Sequence, residues 1–233
     1  MPMREIFHEQ VRQAISKGEI ALRDVLIQWE ENLNAIADGR EWFNHWDDDN
    51  AWLPDYPNTS DGWALHMLDF SRREGNINFI QTNNDNLDFT FLSHGLILTI
   101  PGRNNRIRPG HEDSLEMEGL GIRSNGTFCI VEVKAVNEHV PLLEATIQTL
   151  FYAVAIYAKR EMIIRLARPG RRRRPAAPLA NIPDNDPSLG LYVMVDAQNY
   201  HLPQDAGFRD SIGLLKKAFP PLREVAYFAV DPG

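Results

Sequence analysis

Glu132 and Lys134 place a carboxylate and an ammonium two positions apart in an otherwise almost wholly apolar run, Thr127-Phe128-Cys129-Ile130-Val131-Glu132-Val133-Lys134-Ala135. In an extended chain alternate side chains share a face. Phe128, Ile130, Glu132 and Lys134 then point one way, and Cys129, Val131, Val133 and Ala135 the other. Both faces begin apolar, as in a central strand covered on both sides. Burying two charges on such a strand is costly unless they pair with each other, a metal or a ligand. The triplet alone says little. With 5 lysines and 32 acids in 233 residues, composition gives an acid-x-Lys triplet about 0.7 times by chance, and one is found. Its context must separate a functional site from a structural ion pair at a strand end.

Three features supply that context. The preceding run, Leu115-Glu116-Met117-Glu118-Gly119-Leu120-Gly121-Ile122, puts Glu116 and Glu118 on one face. The turn Arg123-Ser124-Asn125-Gly126 makes this run an antiparallel neighbour, so that Glu118 comes beside Glu132. The helix that follows carries Gln148 and Tyr152, four residues apart and hence on one face. Arginine-rich loops flank the unit, with Arg103, Arg106 and Arg108 on one side and Arg171, Arg172, Arg173 and Arg174 on the other. A planar guanidinium suits phosphate, although a run of charges is also the usual content of a solvated loop.

Glu118, Glu132-Val133-Lys134, Gln148 and Tyr152 resemble the motif of the PD-(D/E)XK nuclease superfamily: an acid on one strand, acid-x-Lys on the next, then a helix with Gln and, four residues on, Tyr. The likeness covers residues 95–196. It departs at the first acid, usually aspartate and here Glu118, with Asp113 or Glu116 as alternatives. The resemblance implies a restriction-endonuclease-like α/β core of three layers, a mixed central sheet flanked by helices. It implies metal-dependent hydrolysis of phosphodiester bonds, with DNA as the expected partner. Glu118, Glu132 and the Val133 carbonyl would hold Mg²⁺ or Mn²⁺, hard ions that favour oxygen ligands. Glu118, Glu132, Lys134 and Gln148 would be the catalytic set, with Lys134 orienting water and offsetting developing charge, and Gln148 positioning water or the lysine. The arginine loops would contact phosphate.

The elements that must position these residues follow from periodicity. Residues 3–16 and 19–37 read as helices with apolar positions at helical spacing, broken at Gly18. Residues 38–62 read as a Trp- and Asp-rich loop, and 62–74 as a short helix. From residue 77 the period becomes two, with strands at 77–82, 87–92, 95–100, 114–122 and 127–135. Helix 141–160, strand 190–196, helix 208–218 and strand 224–230 complete the chain. A hairpin, a helix and then a further strand predict a mixed sheet with helices on its faces. The expected division is an N-terminal helical extension, 1–76, packed on a 77–233 core.

Composition bounds the function. The net charge of −8 argues against a charge-driven nucleic-acid coat, but the charge is uneven. Residues 1–100 hold 7 basic and 17 acidic residues, 101–175 hold 13 and 8, and 176–233 hold 4 and 7, so the middle of the chain can face an anion. No apolar run spans a membrane and no signal peptide is seen. The single cysteine, Cys129, reads as a buried thiol, so a cytoplasmic setting is expected. No His-x-x-x-His, Gly-x-x-x-x-Gly-Lys or Gly-x-Ser-x-Gly pattern is present, which argues against zinc, NTP and serine-nucleophile chemistry. A homodimer, one site per strand, is a further expectation. The alternatives are a catalytically inactive module that keeps the fold for binding, and a small-molecule enzyme whose arginines take an anionic substrate.

Overall fold

The structure is a computed structural model that describes residues 3–35, 42–44, 77–80, 86–98, 115–134, 140–161, 187–196 and 206–230. The first two helices, α1 (Met3–Lys17) and α2 (Glu19–Ala35), follow the expected pattern. α1 buries Phe7, Val11 and Ala14, and α2 buries Leu22, Leu26, Trp29 and Leu33. Steps of three and four give each helix one apolar stripe. Gly18 separates them at φ +101°, a conformation that costs glycine least, and its amide still closes the last turn of α1 on Ala14.

The strands are β1 (Trp42–Asn44), β2 (Ile77–Ile80), β3 (Asn86–Leu98), β4 (Leu115–Ile122), β5 (Phe128–Lys134), β6 (Leu189–Asp196) and β7 (Leu222–Val230). They form one mixed sheet in the order β1-β3-β4-β5-β6-β7, with β2 also pairing β3. β3, β4 and β5 are antiparallel in turn; β5, β6 and β7 are parallel. The crossover from β5 to β6 contains α3 (Leu142–Ala158), and that from β6 to β7 contains α4 (Ala206–Ala218).

Two segments differ from expectation. The runs 87–92 and 95–100 are one strand, because the β4 ladder continues past Ser93-His94-Gly95 and absorbs the misfit as a register shift between Phe91 and Ser93. Within the presumed loop 38–62, Trp42–Asn44 is a short strand on the C-terminal end of β3. Helix 62–74, the arginine loop 101–112 and residues 167–186 of the second arginine loop lie outside the described residues.

Leu120 and Ile122 of β4, Phe128 and Ile130 of β5, and Leu189 and Leu191 of β6 share one core with all four helices. α3 is its centre and is buried along nearly its whole length. Phe7 of α1 packs edge-on against Trp29 of α2 at 5.4 Å and Phe151 of α3 at 5.1 Å between ring centroids. Polar pins hold the layer as well. The buried Lys159 donates to the Asn34 carbonyl over 3.0 Å, and Arg12 on α1 makes a forked pair with Glu144 in the first turn of α3. On the other face Cys129, Val131, Val133, Tyr192 and Met194 are also fully buried. There the Glu224 carboxylate accepts from the Tyr192 hydroxyl and from Arg123, each over 2.8 Å.

Candidate active site

β5 is buried at every position, including its two charges. Phe128 and Ile130 face the helices, and strand alternation carries Glu132 and Lys134 onto that same side. The Glu132 side chain is 1% exposed, and its Oε1 lies 2.5 Å from Lys134 Nζ. Pairing offsets part of the cost of placing two charges in so dry a place.

The β4–β5 ladder runs from Ile122↔Phe128 to Gly119↔Val131 and then stops. Beyond that point β4 stays with β3, through Met117↔Leu96 and Glu116↔Ile97. β5 stays with β6, through Glu132↔Val193, Val133↔Met194 and Lys134↔Val195. The strands therefore fork, and the side chain of Glu118 fills the fork. Its Oε2 accepts a hydrogen bond from the backbone N–H of Val133, the residue between Glu132 and Lys134. Glu118 is half-buried, and Glu132 almost wholly so.

Tyr152 of α3 looks onto this fork. Its hydroxyl is fully buried, and burial first, then the Glu132 charge and also that of Glu118, push its pKa up, so it stays protonated. Both carboxylates are thus within electrostatic reach of one phenol. Gln148 stands one turn earlier on α3, half-buried, and none of the hydrogen bonds above involves it.

Two residues on α1 join the same neighbourhood without any sign in the sequence motif. The Arg4 guanidinium comes within reach of the Tyr152 hydroxyl, where its charge and hydrogen bonding pull the phenol's pKa down against the burial that raises it. His8, one turn on, is pushed down to about 4, by burial first and then by Arg4, with Arg12 and Lys134 adding and Glu144 opposing. His8 is therefore neutral at pH 7, and its Nε2 is buried without a hydrogen-bond partner. Helical periodicity marks only the core-facing stripe of α1; it cannot say that the adjoining stripe faces a strand more than a hundred residues away.

Glu118, Glu132, Lys134 and Tyr152 thus share the helical side of the β4–β5 fork, with Val133 anchoring Glu118 and Gln148 one turn before Tyr152 on α3. Glu116 occupies β4 opposite Ile97. Asp113, Arg103, Arg106, Arg108 and Arg171, Arg172, Arg173 and Arg174 lie outside the described residues. Among the described residues, no three His, Cys, Asp or Glu side chains are gathered closely enough to hold a metal ion. The oxygen donors of Glu118 and Glu132 suit a hard divalent cation in kind. No helix among the described residues is long and apolar enough to cross a membrane. No protein-family model matches the chain, and neither a curated protein nor a solved structure does.

Proposed function

We propose that the chain is a metal-dependent phosphodiesterase that cuts nucleic acid, with DNA as its substrate, on a restriction-endonuclease-like core. The observation that carries the reading is the fork itself: a carboxylate from β4 is tied to the amide between the acid and the lysine of β5. The order β3, β4, β5, α3, β6 supports the reading, being the strand-strand-strand-helix-strand order expected from the resemblance.

The chemistry required is attack of water on phosphorus and departure of an ester oxygen, with relief of negative charge on the phosphoryl group. Glu118, Glu132 and the Val133 carbonyl would hold Mg²⁺ or Mn²⁺, which when bound supplies Lewis-acid charge and a more acidic water. The protein's own contribution is placement. Val133 N–H fixes Glu118 through one oxygen. Lys134 sets an ammonium beside Glu132, where it orients the nucleophilic water and neutralises charge on a phosphoryl oxygen. Tyr152, kept protonated, is a donor and never a charge at working pH. The packed helical layer excludes bulk water from the buried end of the site, where fixed charges act more strongly.

The test is cleavage of plasmid, linear duplex and single-stranded DNA and of RNA in Mg²⁺ or Mn²⁺, with Mn²⁺ calorimetry beside it. Wild type should bind Mn²⁺ and cut DNA; Glu132→Gln should lose both, and Lys134→Gln should bind Mn²⁺ without cutting. A chain that neither binds Mn²⁺ nor cuts any nucleic acid returns Glu132 and Lys134 to a structural ion pair. Binding of nucleic acid without metal or cleavage identifies the inactive module instead.

A further inference from the structure

Three arginines of α1, α2 and the end of α3 have counter-charges. Arg12 is paired with Glu144, Arg23 with Glu19 and Arg160 with Glu30. Among the described residues half-buried Arg4 makes no ion pair with a carboxylate, and it comes within charge and hydrogen-bonding reach of the Tyr152 hydroxyl instead. A guanidinium offers five N–H donors in a rigid plane, so one phenol oxygen satisfies a small part of it. The partner that matches the rest of such a fork is a planar or tetrahedral oxyanion.

The surroundings sharpen this. His8 follows Arg4 by one turn, on the same side of α1. Its Nε2 is enclosed yet makes no hydrogen bond, and an enclosed polar atom left without a partner is costly. Lys134 is committed to Glu132, and Arg12 to Glu144. α1 cannot swing to find another partner for Arg4, because Phe7 is wedged against Trp29 and Phe151, and Arg12 is clamped to α3. Among the described residues, a cation without an ion-pair partner and an imidazole nitrogen without a hydrogen bond therefore sit on a fixed helix that borders the two carboxylates.

We infer that Arg4, steadied by Tyr152 and flanked by His8, is an anion subsite that grips a phosphate group on the α1 side of the Glu118–Glu132 fork. That the phosphate belongs to nucleic acid rests on the nuclease reading; that the subsite takes phosphate does not. Held there, a backbone phosphate is anchored next to the reacting centre, and the fork geometry fixes its orientation as well as its charge.

The test titrates the full-length chain with inorganic phosphate, without divalent cation, and follows the Arg4 Nε–H and His8 ring signals by NMR. Saturable shifts at both are expected in wild type. Affinity should fall at least tenfold in Arg4→Gln, less in Arg4→Lys, which keeps the charge but not the fork, and several-fold in Tyr152→Phe. Phosphate affinity unchanged in Arg4→Gln, or shifts confined to other residues, overturns the subsite. So does loss of Mn²⁺ binding in Arg4→Gln, which would show that Arg4 only holds the fold. The two readings fail separately. Phosphate bound at Arg4 by a chain that cuts nothing leaves the subsite and removes the nuclease; DNA cleavage with an unchanged KM in Arg4→Gln does the reverse.

Discussion

Lys134 and Glu132 help each other stay charged in a dry strand, and their variants should show it. Removing one partner of a buried pair costs about 3–5 kcal/mol. In a metal-free chain, Lys134→Met should therefore lower the melting temperature sharply, and the double variant with Glu132→Gln should recover most of the loss. Mn²⁺ should restore part of the stability of Lys134→Met and none of that of the double variant, as read by a melt with and without the ion. His8 gives a different signature. Its pKa falls from 6.5 to about 4 on folding, so the unfolded chain binds more protons between those values. Stability from this group is complete above about pH 6.5 and is lost as pH falls toward 4. Burial first, and then Arg4, Arg12 and Lys134, hold it low against the pull of Glu144. Acid melts of His8→Gln should show a shallower decline by close to one proton per molecule over that window. Glu132, Lys134, Glu118 and Tyr152 were legible in the sequence because strand and helix periods are strict and charges in an apolar run stand out. Arg4 and His8 were not, since their meaning comes from what α1 is packed against.

At the scale of elements, the aromatic contact of Phe7 with Trp29 and Phe151 is what fixes α1 to α2 and α3. Phe7 is wholly buried. Phe7→Ala should cost about 3–5 kcal/mol by the usual balance of lost transfer energy and residual cavity. Denaturant melts give the cost, and phosphate titration of the variant should show a weaker Arg4 subsite, since its platform is loosened. Most elements could be read from the chain. The helices expected over 3–16 and 19–37 are Met3–Lys17 and Glu19–Ala35, with the break at Gly18 where the chain turns through positive φ. β3 could not, because Ser93-His94-Gly95 has the composition of a turn, and only the continuous partner strand β4 keeps it extended. The fork between β4 and β5 was equally hidden. Ladder arithmetic places Glu118 opposite Glu132, but the end of pairing at Gly119↔Val131 depends on how β3 and β6 draw the two strands apart.

Over the whole molecule, α1 and α2 supply seven buried side chains to the core that also takes in β4, β5, β6 and α3. Truncation to residues 36–233 should expose that face and abolish a cooperative melt, which circular dichroism against temperature will show. The charge pattern has its counterpart here: a chain with a net charge of −8 still presents Arg4, Lys134 and Arg12 around one neutral histidine. Local arrangement, not overall balance, decides what such a surface attracts.

The amide of residue 133 is a reporter that the fold has built for itself. Its hydrogen is held by a side chain across the β4–β5 fork, so its exchange with solvent deuterium reports on that carboxylate. Anything that neutralises or withdraws Glu118, whether acid or a Glu118→Ala change, should lower the protection factor there, with rates corrected for the intrinsic effect of pH, while the amides of Ile130 and Val131 stay protected.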